Sequence, residues 1–227
     1  MKSKESLLET VVHGIFLILG LITVGCVLLI TVYLVISGVP AIAKIGLFQF
    51  LFGTKWASTA SEPSFGILPF IMTSIYGTGG AILLGVPVGF FTSVYLAKIA
   101  SPKVRGVIET AVSLLAGIPS VVYGFFGLMI IVPWVRDTFR PYYGGNGLSL
   151  FSAALLLGIM ILPTIIGVSE SAIRAVPDSY YEGSLGLGAS HERSVFFAVL
   201  PAAKSGILAG IVLGIGRAIG ETMAVVM

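Results

Sequence analysis

Residues 10–43, TVVHGIFLILGLITVGCVLLITVYLVISGVPAIA, contain no Asp, Glu, Lys or Arg and are dominated by apolar side chains. A helix needs about 20 apolar residues to cross the hydrocarbon core of a bilayer, and this stretch is long enough. It is also much longer than the roughly 7–15-residue apolar core of a secretory signal, and no convincing cleavage site of small residues follows it. We therefore interpret it as a retained first transmembrane helix.

Further apolar runs follow along the chain. Three of them carry no Asp, Glu, Lys or Arg, and a last one begins after Lys204 and is interrupted by Arg217 and Glu221. Isolated strands would leave backbone groups unpaired in lipid, and the runs lack the alternation of a membrane barrel, so we predict helices. The predicted fold is an all-α, polytopic membrane bundle with five spans, near residues 11–37, 67–97, 109–133, 149–175 and 201–226.

Composition supports a lipid environment. Of 227 residues, 56% are hydrophobic and only 10% are charged, whereas soluble domains carry about a quarter charged residues. The net charge of +3 includes no dense basic run, which argues against a nucleic-acid partner. Cys26 has no second cysteine to pair with, and neither His13 nor His191 has ligand-type neighbours, so we predict no disulfide and no metal site.

The positions of Lys and Arg favour a cytoplasmic N-terminus. With that orientation, inner segments hold eight of these residues and outer segments hold four. Trp56 and Trp134 flank the predicted spans as interfacial aromatic residues do, and the apolar segment 41–52 is expected along the outer interface.

The predicted domain organisation has two parts. Residues 1–65 form an N-terminal transmembrane helix with an outer loop, and residues 66–227 form the core. The last helix has no polar flank before Met227. We therefore expect a C-terminally truncated core, from which a sixth span is missing.

The segment 175–200, AVPDSYYEGSLGLGASHERSVFFAVL, is the longest predicted inner connection. Pro177 lacks a backbone donor and ends the fourth helix, and Asp178 and Ser179 can cap a short helix that includes Glu182. The small residues after Glu182 leave a surface that another protein can approach closely. From physical chemistry alone, an interfacial connector and a partner-docking helix are equally supported.

Arg217 and Glu221, in RAIGETMA, stand four residues apart and are predicted to share one helix face. Arg217 lies 13 residues beyond Lys204, about 20 Å along a helix axis. Ionisable residues at such depth face a bundle interior or a water-filled path. Two interpretations remain: a structural ion pair, or a pathway arginine that meets an anion. The residues favour the second.

The stretch AGIPSVVYGFFGL, residues 116–128, places Pro119 within a predicted span. A packing hinge is favoured over a pore role, although Ser120 and Tyr123 could line a polar path. Near the inner end of the fourth span, Glu170 and Arg174 are interpreted as an interfacial pair.

Several of these motifs resemble those of a known family. The segment 175–201 resembles the cytoplasmic loop of ABC importer permeases at Glu182, Gly188 and Leu200-Pro201; it departs from the pattern at Gly183 and Ser184, where the family has alanine. Three further strings resemble phosphate-importer permeases: SFGILPFIMTSIYGT (64–78), AGIPSVVYGFFGL (116–128) and RAIGETMA (217–224). A fourth, ILPTIIGVSESAIRAVP (161–177), resembles the PstC type of these permeases more than its PstA sister.

The resemblance implies a role in phosphate import. It implies an all-helical core of the small ABC importer type and alternating access, with Arg217 and Glu221 in the substrate pathway. A coupling helix at about 178–191 would dock an ATPase through residues Glu182, Gly183, Gly188, Leu200 and Pro201.

The implied partners are a PstA-like second permease subunit, an ATPase dimer and an extracytoplasmic phosphate-binding protein, in a bacterial-type inner membrane. ATP and Mg²⁺ would bind the ATPase, because this sequence has no GxxxxGK[ST] loop. The chain itself is then not an enzyme, and no catalytic residue is assigned.

Three alternatives remain. A permease of the same architecture could carry molybdate or sulfate instead. An ion-coupled secondary transporter would leave the segment 178–201 unexplained. A membrane enzyme would need a cluster of ionisable residues, which the sequence does not suggest.

Overall fold

The computed structural model describes residues 2–221 and, among these, the side chains of residues 9–141 and 144–221. It is almost entirely helical, as expected where apolar runs must satisfy their own backbone hydrogen bonds. The elements are α1 (Lys2–Ile45), α2 (Leu47–Phe52), β1 (Trp56–Ala57), β2 (Ser64–Phe65), α3 (Leu68–Lys98), α4 (Pro102–Gly117), α5 (Ser120–Phe126), a π-helical turn (Gly127–Ile131), α6 (Val132–Tyr143), α7 (Leu150–Arg174), α8 (Asp178–Gly186), α9 (His191–Ser194), a second π-helical turn (Val195–Val199), α10 (Leu200–Ala202) and α11 (Lys204–Gly220).

The chain divides into two compact units at Ile71–Met72. In the first unit, α1 exposes nearly all of its apolar side chains, as a lipid-facing helix does. The predicted span 11–37 lies within α1, but the helix continues to Ile45, so the expectation that segment 41–52 stands outside it is wrong for residues 41–45. Pro40 does not end the helix; the end comes at Gly46, whose φ of 91° is accessible to glycine.

A two-stranded hairpin follows α2. Trp56 pairs with Phe65 and Ala57 with Ser64 in antiparallel register. The indole of Trp56 packs edge-to-face on the rings of Phe65 and Phe70, each at a centroid distance of 5.6 Å. This aromatic contact fixes the short hairpin at the start of α3.

In the second unit, α7 is the central helix. It matches the predicted span 149–175, and α3 matches 67–97 within one residue at each end. Small residues of its neighbours face α7 and allow close approach of the helix backbones, as is common in membrane bundles. They are Gly85 and Gly89 on α3 and Gly206, Gly210 and Gly214 on α11.

The third predicted span, 109–133, is wrong in its boundaries. Helix α4 ends at Gly117, and Ile118 is extended with φ −73° and ψ 126°. A residue before proline is pushed out of the α region, and Pro119 cannot donate a backbone hydrogen bond. Pro119 therefore produces a complete break rather than a kink, and the apolar helical stretch that is long enough to cross a membrane is Ser120–Pro141.

The fifth predicted span, 201–226, also needs correction. The helical stretch His191–Ala202 bends by 71° into α11, so Pro201 belongs to the stretch before the bend and α11 begins at Lys204. Helix α11 ends at Gly220, and residues 222–226 lie outside the described part of the chain. Within residues 2–221, four helices are long and apolar enough to cross a membrane, and the number rises to five if the bent pair is counted as one span.

Candidate functional site: a mid-depth arginine and an inner docking helix

Arg217 of α11 meets α7 deep in the bundle. Its Nη1 donates a hydrogen bond to Oγ1 of Thr164 at 3.5 Å, between residues 53 apart in sequence. Both side chains are half-buried. Since Arg217 lies 13 residues beyond Lys204, about 20 Å along the helix, the contact is far from the start of α11.

Glycine packing fixes the register that brings Arg217 to Thr164. A Cβ atom at Gly214 would lie 2.7 Å from Cγ1 of Ile165, and one at Gly210 would lie 2.9 Å from Oγ of Ser169. No larger side chain fits at these two positions without a shift of the helices. The α7–α11 spacing is therefore set one turn from the arginine.

Tyr123 joins a third element to this region. It is buried in α5, packs with Leu156 and Met160 of α7, and donates its hydroxyl to the carbonyl of Leu115 at 2.8 Å. That bond closes the break between α4 and α5.

The predicted pore or hinge residues thus have different places. Tyr123 is buried against α7, Pro119 supplies the break, and Ser120 begins α5 with a half-buried side chain. Thr164, which follows Pro163, was missed by the sequence analysis. The only signal was a hydroxyl beside a proline within an apolar run, which does not reveal the facing helix.

Glu221 does not share a helix face with Arg217. The helix has ended at Gly220, and the backbone of Glu221 is extended, with φ −81° and ψ 113°. The predicted i,i+4 geometry is therefore wrong, because that rule requires an unbroken helix. Glycine's poor helix propensity at the preceding position is consistent with the early end.

Four charged residues form a network at the other end of α7. Arg174 Nη1 lies 3.5 Å from Oε1 of Glu170 and 3.6 Å from Oε1 of Glu109, and Nε of Arg105 lies 3.4 Å from the same Glu109 oxygen. Glu170 is buried, whereas the other three are partly exposed. We call these residues the inner-end network. The predicted Glu170–Arg174 pair is present, but its partners on α4 were missed because sequence does not show which helices meet.

The predicted coupling helix corresponds to α8, which is shorter than 178–191. Its N-cap is Pro177, and neither Asp178 nor Ser179 provides the predicted side-chain cap. The helix ends at Gly186, and Gly188 has a φ of 87°, a conformation that glycine adopts readily. The shortening therefore follows from the two glycines.

Part of α8 and its flank is open to solvent. Glu182 and Gly183 are exposed, and a Cβ atom at Gly183 would meet nothing within 4 Å. Leu187 is 92% exposed, an unusual position for a leucine. This surface has the small and apolar character that a protein partner can cover.

Tyr181 anchors α8 to the rest of the second unit. Its hydroxyl lies 2.7 Å from Nδ1 of His191, its ring is 5.9 Å from Nζ of Lys98, and it packs against a buried cluster of apolar residues. Leu200 lies in that cluster and is 8% exposed, whereas Pro201 is exposed beside it. Sequence analysis missed Tyr181 and treated His191 as a residue without ligand-type neighbours.

Within residues 2–221, His, Cys, Asp and Glu side chains form no group of three or more that could hold a metal ion. The ionisable residues described above instead pair with each other or with hydroxyls. Such a site can bind and orient an anion, but it does not combine a nucleophile with a base.

The fold and these sites define a class: a multi-pass helical membrane protein with a half-buried polar contact between two helices and an exposed short helix, α8. Residues 85–227 match the family model for the binding-protein-dependent transport system inner membrane component, and the chain belongs to this family. The family is one of membrane transport components, so the chain is a permease component rather than an enzyme.

Curated relatives agree with this assignment. The chain is 36% identical over 210 residues to the probable ABC transporter permease protein YqgH of Bacillus subtilis, covering 92% of this chain and 67% of that protein. It is 34% identical over 194 residues to the phosphate transport system permease protein PstC of Pasteurella multocida, covering 78% and 60%. For PstC of Haemophilus influenzae the identity is 32% over 212 residues, covering 86% and 66%.

The predicted resemblance to PstC-like ABC permeases is thereby confirmed. The chain spans between 60% and 67% of the length of these relatives.

Proposed function

We propose that this chain is the channel-forming subunit of an ATP-driven, binding-protein-dependent phosphate importer. The observation that carries the proposal is the placement of Arg217 against Thr164, in the middle of α7. A guanidinium group donates parallel hydrogen bonds that match a tetrahedral oxyanion. Relatives named as phosphate transport permeases support phosphate as that anion.

The proposed assembly contains further chains. A PstA-like permease subunit pairs with this one, an ATPase dimer docks on the cytoplasmic side, and an extracytoplasmic binding protein delivers phosphate. ATP and Mg²⁺ bind the ATPase chains. The Lys and Arg distribution supports a cytoplasmic N-terminus in a bacterial-type inner membrane.

Docking of the ATPase is assigned to α8 and its flank, through Glu182, Gly183 and Gly188. Leu200 and Pro201 support this surface from behind, since Leu200 packs in the cluster that also receives Tyr181. The contacts of Tyr181 with His191 and Lys98 then connect movement of α8 to the end of α3. The 71° bend before α11 lies in the same part of the unit.

The proposed mechanism is alternating access. ATP binding closes the ATPase pair and moves α8, which swings the spans so that the path opens outward; hydrolysis returns it inward. A bound anion biases these states only if its contacts differ between them. Arg217, on α11, is the residue to which we assign such a contact. The site must bind weakly, because a strong site would retain phosphate.

The test of substrate is radiolabelled phosphate uptake by cells that carry the complete operon, with and without the full-length gene that encodes this chain. We expect high-affinity uptake to be lost without the gene and restored with it. Unchanged uptake, with independent phosphate carriers deleted, would contradict the phosphate assignment and direct the assay to molybdate and sulfate. Uptake that persists without the ATPase gene would instead indicate a secondary transporter.

The test of docking is co-purification of the ATPase with Glu182→Lys. Reversal of charge on the exposed face of α8 should weaken the association. Glu62→Lys is a matched control, because Glu62 is also exposed but belongs to the predicted outer loop. Undiminished co-purification of Glu182→Lys would exclude α8 as the main contact.

A further inference from the structure

Thr164 is the described side chain that accepts a hydrogen bond from Arg217, yet no motif in the sequence pointed to it. We infer that Thr164 is a second substrate-contacting residue, which binds the oxyanion together with Arg217. This inference rests on the proposed function, since it concerns the same pathway. Its basis is the direction of the hydrogen bond, its length and the position of both groups.

The direction of the bond determines what Thr164 can offer. A threonine hydroxyl has one O–H donor and two acceptor lone pairs. Because Arg217 Nη1 donates to Oγ1, the proton of that hydroxyl must point away from the guanidinium. Arg217 and Thr164 therefore present N–H and O–H donors side by side.

The length of the bond indicates a weak contact, which contacts with a ligand oxygen can replace. At 3.5 Å the contact is longer than the usual N–H···O distance of about 2.9–3.0 Å. A contact of this length is easily opened, and an anion oxygen can bridge the two groups. Both side chains are half-buried, so neither is sealed within the packed core of this chain.

The two groups also complement each other chemically. A guanidinium only donates hydrogen bonds, whereas a hydroxyl both donates and accepts. Phosphate near neutral pH retains at least one proton, so it carries a donor as well as acceptors. Thr164 can serve either part of that ion while Arg217 compensates its charge.

Pro163 gives this turn of α7 a distinct geometry. A proline within a helix removes the hydrogen bond to the carbonyl four residues before, here that of Ile159. The first hydroxyl after this interruption is that of Thr164. The interruption places Thr164 at a locally weakened turn, where small adjustments around an anion are possible.

The test compares Thr164→Val, which removes the hydroxyl with little change in size, with Thr164→Ser, which keeps it. Both are made in the full-length chain within the complete transporter. We expect Thr164→Val to lower the maximal rate of phosphate uptake about tenfold, as one lost hydrogen bond to an ionic group predicts. The half-saturating phosphate concentration should stay unchanged, because the external binding protein sets it. Thr164→Ser should retain at least about half of the rate.

Thr110→Val is the matched control. The hydroxyl of Thr110 is exposed on α4 and donates to the carbonyl of Gly106 in its own helix at 2.7 Å. This variant should transport as the parent does. Co-purification of the partner subunits tests whether each variant assembles. If Thr164→Val does not assemble, Thr164→Ala takes its place, since it also lacks the hydroxyl.

The outcomes separate the inference from the function on which it rests. Normal uptake by an assembled Thr164→Val, with Arg217→Ala inactive, would overturn the role of Thr164 alone. Reduced uptake by Thr164→Ser, with normal uptake by Thr164→Val, would mean that the methyl group, which valine keeps, matters instead of the hydroxyl, and this also overturns the inference. Absence of phosphate uptake by the parent transporter would overturn the proposed function itself.

Discussion

Two arginines lie at α7, one on the neighbouring helix α11 and one at the end of α7 itself, and their surroundings differ. Arg217, from α11, meets the neutral hydroxyl of Thr164 at 3.5 Å, at mid-depth. Arg174, at the end of α7, lies between the carboxylates of Glu170 and Glu109 at 3.5 and 3.6 Å. A guanidinium already matched by two carboxylates has little electrostatic reason to recruit a passing anion, whereas one beside a neutral hydroxyl can exchange that contact for an ionic one.

The comparison assigns the two arginines to different tasks. The inner-end network joins α4 to α7, close to where the chain leaves for α8, and so acts on architecture. The mid-depth contact joins α7 to α11 and can act on the substrate. The two arginines differ in depth, but the charge of their partner groups is what separates an arginine that can attract an anion from one that is already neutralised.

The largest expected effect is that of Arg217→Ala on phosphate uptake. The change removes charge-assisted hydrogen bonds worth roughly 1.5–3 kcal/mol each, so the maximal rate should fall about a hundredfold if two are lost. Arg217→Lys should be intermediate, because an ammonium keeps the charge without the planar fork. Normal phosphate transport by an assembled Arg217→Ala variant would show that Arg217 does not act on the substrate.

Arg174→Ala should act on stability. It leaves the buried Glu170 without its guanidinium, and because the Arg174 side chain is itself 46% exposed, the loss should be roughly 1–3 kcal/mol. The measurement is thermal unfolding of the purified transporter in detergent. Glu170→Gln in the same chain should restore much of the loss.

Arg136→Ala is the control for that experiment. Arg136 pairs with its neighbour Asp137 at 2.9 Å, and both side chains are well exposed. Its removal should have little measurable effect on thermal stability, because solvent screens an exposed pair. Equal losses for Arg136→Ala and Arg174→Ala would mean that burial of Glu170 does not decide the strength of the network.

The sequence predicts the extent of the helices better than it predicts the contacts between them. The apolar runs predict α3 and α7 within one residue at each end, because hydrophobic length is a strong local signal. Arg217 was recognised from its depth, and Glu170–Arg174 from its spacing. Thr164, Glu109 and Tyr181 were not, since each depends on which helices pack together.

The errors have local physical causes. Pro119 broke a span that hydropathy treated as continuous, because hydropathy does not register the missing backbone donor. The predicted last helix ran past Gly220 because the apolar run continues there, whereas the backbone of Glu221 is already extended. Apolar length predicts residence in a membrane better than it predicts where a helix ends.

The next effect concerns the glycines that hold α11 against α7. Gly214→Ala would place Cβ 2.7 Å from Cγ1 of Ile165, so one helix must shift. Overpacking of this kind costs typically about 1–3 kcal/mol, and it should also separate Arg217 from Thr164. We therefore expect reduced thermal stability together with reduced uptake.

Gly216→Ala is the matched control, because a Cβ atom there would meet nothing within 4 Å. It should be neutral or slightly stabilising, since alanine favours a helix over glycine. If Gly216→Ala and Gly214→Ala behave alike, helix propensity rather than close packing governs this part of α11. The mid-depth contact would then not depend on the glycine register.

The smallest expected effect is that of Glu109→Gln. Its side chain is 39% exposed, and Arg174 keeps Glu170 after the change, so the loss in stability should be about 0.2–1 kcal/mol. The loss should shrink further in high salt, which screens exposed charges. Asp137→Asn, in the pair with Arg136, provides the comparison with a still more exposed carboxylate, at 68%. A loss of stability for Glu109→Gln as large as that for Arg174→Ala, and unchanged by salt, would mean that the α4 carboxylate is the main partner of Arg174. The inner-end network would then hold α4 against α7, and would not be mainly a local pair within α7.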